Sequence, residues 1–188
     1  IQSKGERPEL AVMQRFLGQA LCVNNELEKA EFHLREAENL FQEMDMTMER
    51  AVCKLAWGTY YRQKGDFAAA AAAWEQALTL SQGIIPDIAW QVHAGLAQLA
   101  QQQQEDELAL TEYKMMIDEL ARLREELAQM SLSGSFFSQP GLIVDQAVHL
   151  AVQMQQHEQA LHFVEASKAI TLARLLHTDT HCLANLPA

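Results

Sequence analysis

Apolar residues recur along this chain at three- and four-residue intervals, with polar and charged residues filling the positions between them. That period belongs to amphipathic helices rather than to strands, which alternate every second residue. The stretch "LAWGTYYRQKGDFAAAAAAWEQALTLS", Leu55 to Ser81, shows how the helices are joined. Its six consecutive alanines are no linker, because Ala is the strongest helix former and Trp74, Leu78 and Leu80 carry the helical spacing onward. Gly65 supplies the left-handed residue that ends one helix, and Asp66 supplies an acceptor for the first amides of the next. Side chains one methyl long let two antiparallel helices approach closely. Read this way throughout, the pattern predicts helices near 8–24, 26–45, 47–64, 66–83, 87–103, 105–130, 141–155 and 157–178. Ser, Gly and Pro break the period in "SLSGSFFSQPG", Ser131 to Gly141, and the tail "THCLANLPA" carries no clear element.

The helices repeat as pairs. Gly58 follows Gly18 by 40 positions, as Ala70 follows Ala30, Trp74 follows Leu34 and Ala77 follows Ala37. Ala109 and Tyr113 stand 39 positions beyond Ala70 and Trp74, and Ala160 and Val164 take the same roles after a longer spacer. A fixed period of this length is the mark of a repeat architecture in which each helix pair buries its apolar face on its neighbours. Asn25 stands where the turn glycine of the second unit stands, and Asn is the next best residue in that conformation. The third unit departs furthest: its turn reads as "QQQQEDE", about three residues longer than the others and without a glycine.

Trp57-Gly58, Tyr61, Gly65, Ala70, Trp74 and Ala77 resemble the tetratricopeptide repeat in a form of about 40 residues. The first unit matches it at Leu17-Gly18, Ala30 and Ala37. The resemblance implies an all-α fold, a right-handed superhelical solenoid of about four helix pairs, with repeats 1 to 3 over 1–130, a spacer over 131–141, a fourth pair over 142–178 and a tail over 179–188. In the repeat's register the first helix of each pair lines a concave groove that takes a protein or peptide segment. Arg15, Gln19, Leu55, Thr59, Arg62, Gln91, Gln98, Leu142, Asp145 and His149 fall on that face. Repeat domains that grip chaperone C-termini carry Lys and Asn where this chain has Leu55 and Thr59, and Arg15 and Gln19 one repeat earlier, so that clamp is missing.

Composition narrows the partners. The chain has 188 residues, of which 49% are hydrophobic, enough for a buried core. A formal charge of -11 and a pI near 5.0 argue against nucleic acid, whose binders cluster Lys and Arg. No apolar run approaches the roughly 20 residues of a membrane span, and "IQSKGERPEL" has no apolar signal core. Three widely spread cysteines, Cys22, Cys53 and Cys182, suit a reducing cytoplasm better than a disulfide framework. A first residue of Ile1 in place of Met reads as an excerpt of something longer.

Catalysis and metal binding find little support. "HTDTHC", His177 to Cys182, offers an i, i+4 histidine pair beside a cysteine but no second ligand cluster. His93, His149, His157 and His162 fall on helices without a partnered Cys or carboxylate at ligand spacing and read as surface or satisfied core histidines. Cys22 and Cys53 lie mid-helix, where a thiol acts as a small apolar filler. "GSFFSQPG" contains no lysine and follows no strand, so it is no phosphate loop. The expectation is a chain that is not itself an enzyme and needs no cofactor or metal.

From Pro86 onward a second likeness appears. "PDIAWQVHAGLAQLAQQQQEDELALTEYKMMIDELARLREELAQM", then two phenylalanines in a spacer, then "EQALHFVEASKAITLARLL", resembles the region that precedes the protease-like domain of CHAT-family proteins. Glu165, Ser167, Lys168, Ala169, Leu175 and Leu176 are the matching residues. The family's catalytic Cys-His-Gly and Ser-Ala-Cys strings do not occur here, and Cys182 in "THCLAN" matches neither. The resemblance implies the sensing or docking half of a larger cysteine protease-like protein. On the final helix Leu161, Ile170, Leu172, Leu175 and Leu176 then contact a following domain of the same polypeptide. Forty-residue repeats also build the sensor arm of ATP-dependent transcription regulators, which bind an inducer or a protein, and a free-standing assembly scaffold is a third reading. Protein purified without added metal is expected to hold no stoichiometric ion by metal analysis; one ion per chain held by His177, His181 and Cys182 would contradict this.

Overall fold

The computed structural model describes residues 6–81, 87–129, 140–166 and 168. The described residues are helical throughout apart from tight turns, and no strand occurs among them. The helices are α1 (Glu6–Val23), α2 (Leu27–Glu43), α3 (Thr47–Lys64), α4 (Phe67–Ser81), α5 (Asp87–Gln102), α6 (Asp106–Gln129), α7 (Pro140–Gln153) and α8, described over 157–166. These bounds lie close to those expected from periodicity. The chain divides into two compact units, Ile1–Leu99 and Ala100–Ala188. The predicted spacer falls mostly outside the described residues, as does everything expected after Lys168.

One turn recurs between the helices. Asn25, Asp45, Gly65, Gln104 and Gln155 all have positive φ, between 56° and 82°. In each case that residue's amide bonds the carbonyl three positions back, and the next amide bonds the carbonyl five positions earlier. Gly65 N to Arg62 O at 3.1 Å and Asp66 N to Tyr61 O at 2.9 Å form one such pair, and Gln104 N to Gln101 O at 3.1 Å and Glu105 N to Ala100 O at 2.9 Å form another. This is the Schellman closure, which satisfies the last carbonyls of the helix and reverses the chain. Asp66 then opens α4, its Oδ1 accepting from Ala69 N at 3.1 Å.

The third turn corrects the sequence reading. It is not stretched: α5 runs on to Gln102, Gln104 takes the left-handed place without a glycine, and α6 starts at Asp106. Glutamine is a good helix former, so the helix absorbs the start of the glutamine run.

Within the first unit α1 packs on α2 and α3 on α4 as antiparallel hairpins, while α2 and α1 both touch α3. Alanines make the close approach possible: Ala30, Ala37, Ala70 and Ala77 are fully buried, and Ala73 nearly so. The closest contacts fall at the repeated glycines. A Cβ placed on Gly18 would sit 2.7 Å from Leu34 Cγ, and one on Gly58 would sit 2.1 Å from Trp74 Nε1. Gly95 of α5 meets the six-membered ring of the same indole, with Trp74 Cζ2 at 2.6 Å. The Trp74 N–H donates to the carbonyl of Leu55 at 3.3 Å.

In the second unit α6 packs on α7, burying Tyr113, Met116, Ile117 and Leu120 with Val144, Ala147 and Leu150. Tyr113 is wholly buried, and its hydroxyl donates to Gln101 Oε1 at 2.6 Å. On α8 the fully buried aromatic is Phe163, whereas Val164, expected in the place of Trp74, is only half-buried. The larger ring takes the interior site one residue earlier.

The glycine contacts predict an order of stabilities. Gly58→Ala should be the costliest, at or above the roughly 1–3 kcal/mol of an overpacked core, because a rigid ring in close contact with two helices cannot yield. Gly18→Ala should cost less, since the Leu34 side chain can turn away. Gly65→Asn, in open space with Asn25 as its precedent, should cost under about 1 kcal/mol. Urea unfolding of the three variants checks the ranking.

Candidate functional site

The expected groove residues of the first unit lie on α1, α3 and α5, and most are half-buried. Arg15 donates from Nη1 to Gln19 Oε1 at 3.0 Å and lays its guanidinium 4.2 Å from the Phe16 ring centroid. Burial holds its pKa below the usual arginine value, opposed by the nearby Cys53 and Glu49 of α3. Thr59 donates its hydroxyl to the carbonyl of Leu55 at 3.3 Å. The Leu55 side chain itself is 7% exposed and belongs to the core with Trp74, Ile88 and Val92, so it packs inside instead of lining a surface. Arg62 and Gln98 are half-buried. Gln91 donates to Asp87 O at 3.0 Å and to Asp87 Oδ2 at 2.9 Å. Burial raises the Asp87 pKa, against the pull of its bonds from Trp90 and Gln91.

In the second unit Leu142, Asp145 and His149 are exposed along α7, and Leu161 is exposed on α8. Ile170, Leu172, Leu175 and Leu176, together with His177, His181 and Cys182, lie outside the described residues. Among the described residues no group of three or more His, Cys, Asp or Glu side chains is placed to hold a metal, and no helix is long and apolar enough to cross a membrane.

A site that periodicity did not point to lies between α2, α3 and α4. There a cavity of about 490 Å³ is lined by the alanine run on one side and by Lys54, Trp57 and Tyr61 of α3 on another. The Trp57 and Tyr61 rings stack with centroids 5.4 Å apart and planes 24° apart. Lys54 Nζ sits 2.5 Å from Glu38 Oε1 of α2, and both side chains are largely buried.

The preceding repeat explains why the space is open. Forty positions before Lys54 and Ala73 stand Gln14 and His33, and their side chains meet, Nδ1 to Oε1, at 2.5 Å. Phe32 stands where the second unit has Ala72. With Ala73 in place of the histidine the second unit lacks that cross-hairpin contact, and Lys54 pairs with Glu38 of α2 instead. The signal for this cavity was therefore in the sequence, as a difference between equivalent positions inside an otherwise faithful repeat.

The buried thiols carry no chemistry. Cys53 is fully enclosed and its Sγ lies 3.8 Å from the carbonyl of Leu34. Burial pushes its pKa up to about 12 and that of Cys22 up to about 11. A thiolate is the reactive form, so both are inert fillers at neutral pH. Nearby, Tyr60 donates to Glu31 Oε2 at 2.6 Å, and this bond is the main reason that the Glu31 pKa is lowered.

No protein-family model matches the chain, and no curated protein matches it. The thiol environment makes its own prediction: in a Cys182→Ser variant, iodoacetamide at pH 8 should leave Cys22 and Cys53 unmodified in the folded protein and alkylate both in urea. Rapid labelling of either in the native state would contradict the burial.

Proposed function

We propose that this chain is a protein-interaction module of the tetratricopeptide-repeat kind, in which helix pairs stack into a right-handed superhelical solenoid and the first helices present a groove to a peptide segment of a partner. The observation that carries this reading is internal. The same Schellman turn and the same glycine-against-large-side-chain contact recur 40 residues apart, and hairpins joined by the same turn would stack by one repeated rotation. The half-buried, polar character of Arg15, Gln19, Thr59, Arg62 and Gln91 suits hydrogen bonding to an extended peptide, and the two arginines favour carboxylates.

The likeness of the second half to the region before a CHAT protease-like domain supports a docking or sensing role beside such a domain. In that arrangement Leu161 and the apolar positions after it contact the following domain of the same polypeptide. The role requires no catalytic residue, cofactor or metal from this chain.

A peptide array biased toward acidic segments tests the reading. Bound peptides should lose affinity by about tenfold or more for an Arg15→Gln/Arg62→Gln variant, the usual scale for losing charge-assisted contacts. Gln keeps much of the stem that Arg15 rests on Phe16, so the melting temperature should move by only a few degrees. Unchanged binding, or no peptide bound at all, would contradict the proposal.

A further inference from the structure

We propose that the outer face of α1 is a self-association surface, through which two copies of this chain pair as antiparallel helices about a two-fold axis beside Gly18. The face is apolar and open. Met13 is 68% exposed, Phe16 58%, Leu17 45% and Val23 78%, with Ala20 exposed between them, and the helix contacts of α1 go to α2 and α3.

The repeat shows what such a face is for. Counted back from the left-handed residues Asn25 and Gly65, Met13, Phe16, Leu17 and Ala20 stand where α3 has Cys53, Ala56, Trp57 and Tyr60. All four residues of α3 are buried, in the core that α3 forms with α1 and α2. In α5, counted back from Gln104, Val92 and Leu99 take the first and last of these places, and both are buried in the core with Trp74. On α3 and α5 this face lies against a neighbouring helix. On α1 it lies bare.

Side-chain size selects the occupant. Phe16 stands nine positions before Asn25, as Ala56 stands before Gly65 and Gly95 before Gln104. The place is a glycine in α5 because the Trp74 ring of the preceding pair closes on it, so that a Cβ there would fall 2.6 Å from Trp74 Cζ2. A phenyl ring at the same place therefore rejects a helix pair stacked as the internal pairs are stacked, and it needs a small side chain opposite. Helix α1 carries one. Met13, Phe16, Ala20 and Val23 follow the alternating three- and four-residue spacing of a helix-pairing seam. With two α1 helices antiparallel about Gly18, Phe16 meets Ala20 of the second copy and Met13 meets its Val23. Each contact sets a larger side chain against a smaller one, and the two-fold axis makes it twice.

Charge and area agree with a second copy. The chain has a net charge of -11, yet from Leu10 to Asn25 it carries no carboxylate, so two copies close this face without opposing acids. Closure removes on the order of 1,000 Å² in total, the lower end of specific interfaces, which suits a reversible dimer.

The test is sedimentation equilibrium of the full chain under reducing conditions, at concentrations up to about 1 mM. The mass should rise from that of one chain to that of two and stop there, with Kd below about 300 μM. Ala20→Phe makes the face more apolar but sets ring against ring, and it should weaken pairing about tenfold or more. The double variant Phe16→Ala/Ala20→Phe exchanges the two sizes and should recover pairing to within about threefold of the parent. Both positions are exposed, so the variants should keep the parent's circular dichroism and melting temperature to within a few degrees. A monomer throughout, a mass that climbs past two copies, undiminished pairing of Ala20→Phe, or a double variant that pairs no better than Ala20→Phe would each overturn the proposal.

Discussion

The ring of Trp74 is held between two glycines, and the first unit is organised around that contact. Gly58 of α3 faces one part of the indole and Gly95 of α5 another, each so close that a methyl group would overlap it. A glycine inside a helix costs about 1 kcal/mol relative to alanine, so two of them against one side chain are an expense that only packing offsets. What they permit is the burial of the largest side chain at the seam of three helices, 2% exposed, with its N–H bonded to the Leu55 carbonyl. Leu34 against Gly18 is the smaller edition of the same contact. The flanking alanines follow from it, because helices drawn this close leave space only for methyl groups at Ala70, Ala73 and Ala77.

The same closeness produces the cavity. On its α4 side the cavity is lined by Ala69, Ala72, Ala73 and Gln76, while Lys54 pairs across to Glu38 and the Trp57–Tyr61 stack is left beside open space. In the first repeat Gln14 and His33 close the corresponding position. One repeat is thus built shut and the next built open on a common backbone plan. The groove expected on the first helices has a different character, since its polar residues largely bond within their own helix: Arg15 to Gln19, Thr59 to Leu55, Gln91 to Asp87.

Much of this was legible in the sequence. The helical period, the pairing and the left-handed roles of Asn25 and Gly65 were all readable because each depends on local chemistry at a fixed spacing. Gln104 was not, because glutamine has no turn signature and takes positive φ only when the helices on either side demand it. Leu55 was misplaced for a related reason: register along a repeat assigns a face, but a residue beside a tryptophan-sized partner is drawn into the core. Val164 and Phe163 show the limit of counting positions when neighbouring residues differ in size. The alanine run reads first as helix propensity, and only comparison with His33, which meets Gln14 in the preceding repeat, reveals what it omits.

The central claim is that glycine at 58 exists to admit the indole at 74, and a double-mutant cycle tests it directly. Gly58→Ala, Trp74→Ala and the double variant would be unfolded in urea and compared with the parent. If the contact is the constraint, Gly58→Ala should be costly in the parent yet neutral, or stabilising by up to about 1 kcal/mol, once the ring is gone. Equal costs of Gly58→Ala in both backgrounds, with coupling within about 0.5 kcal/mol of zero, would contradict the account.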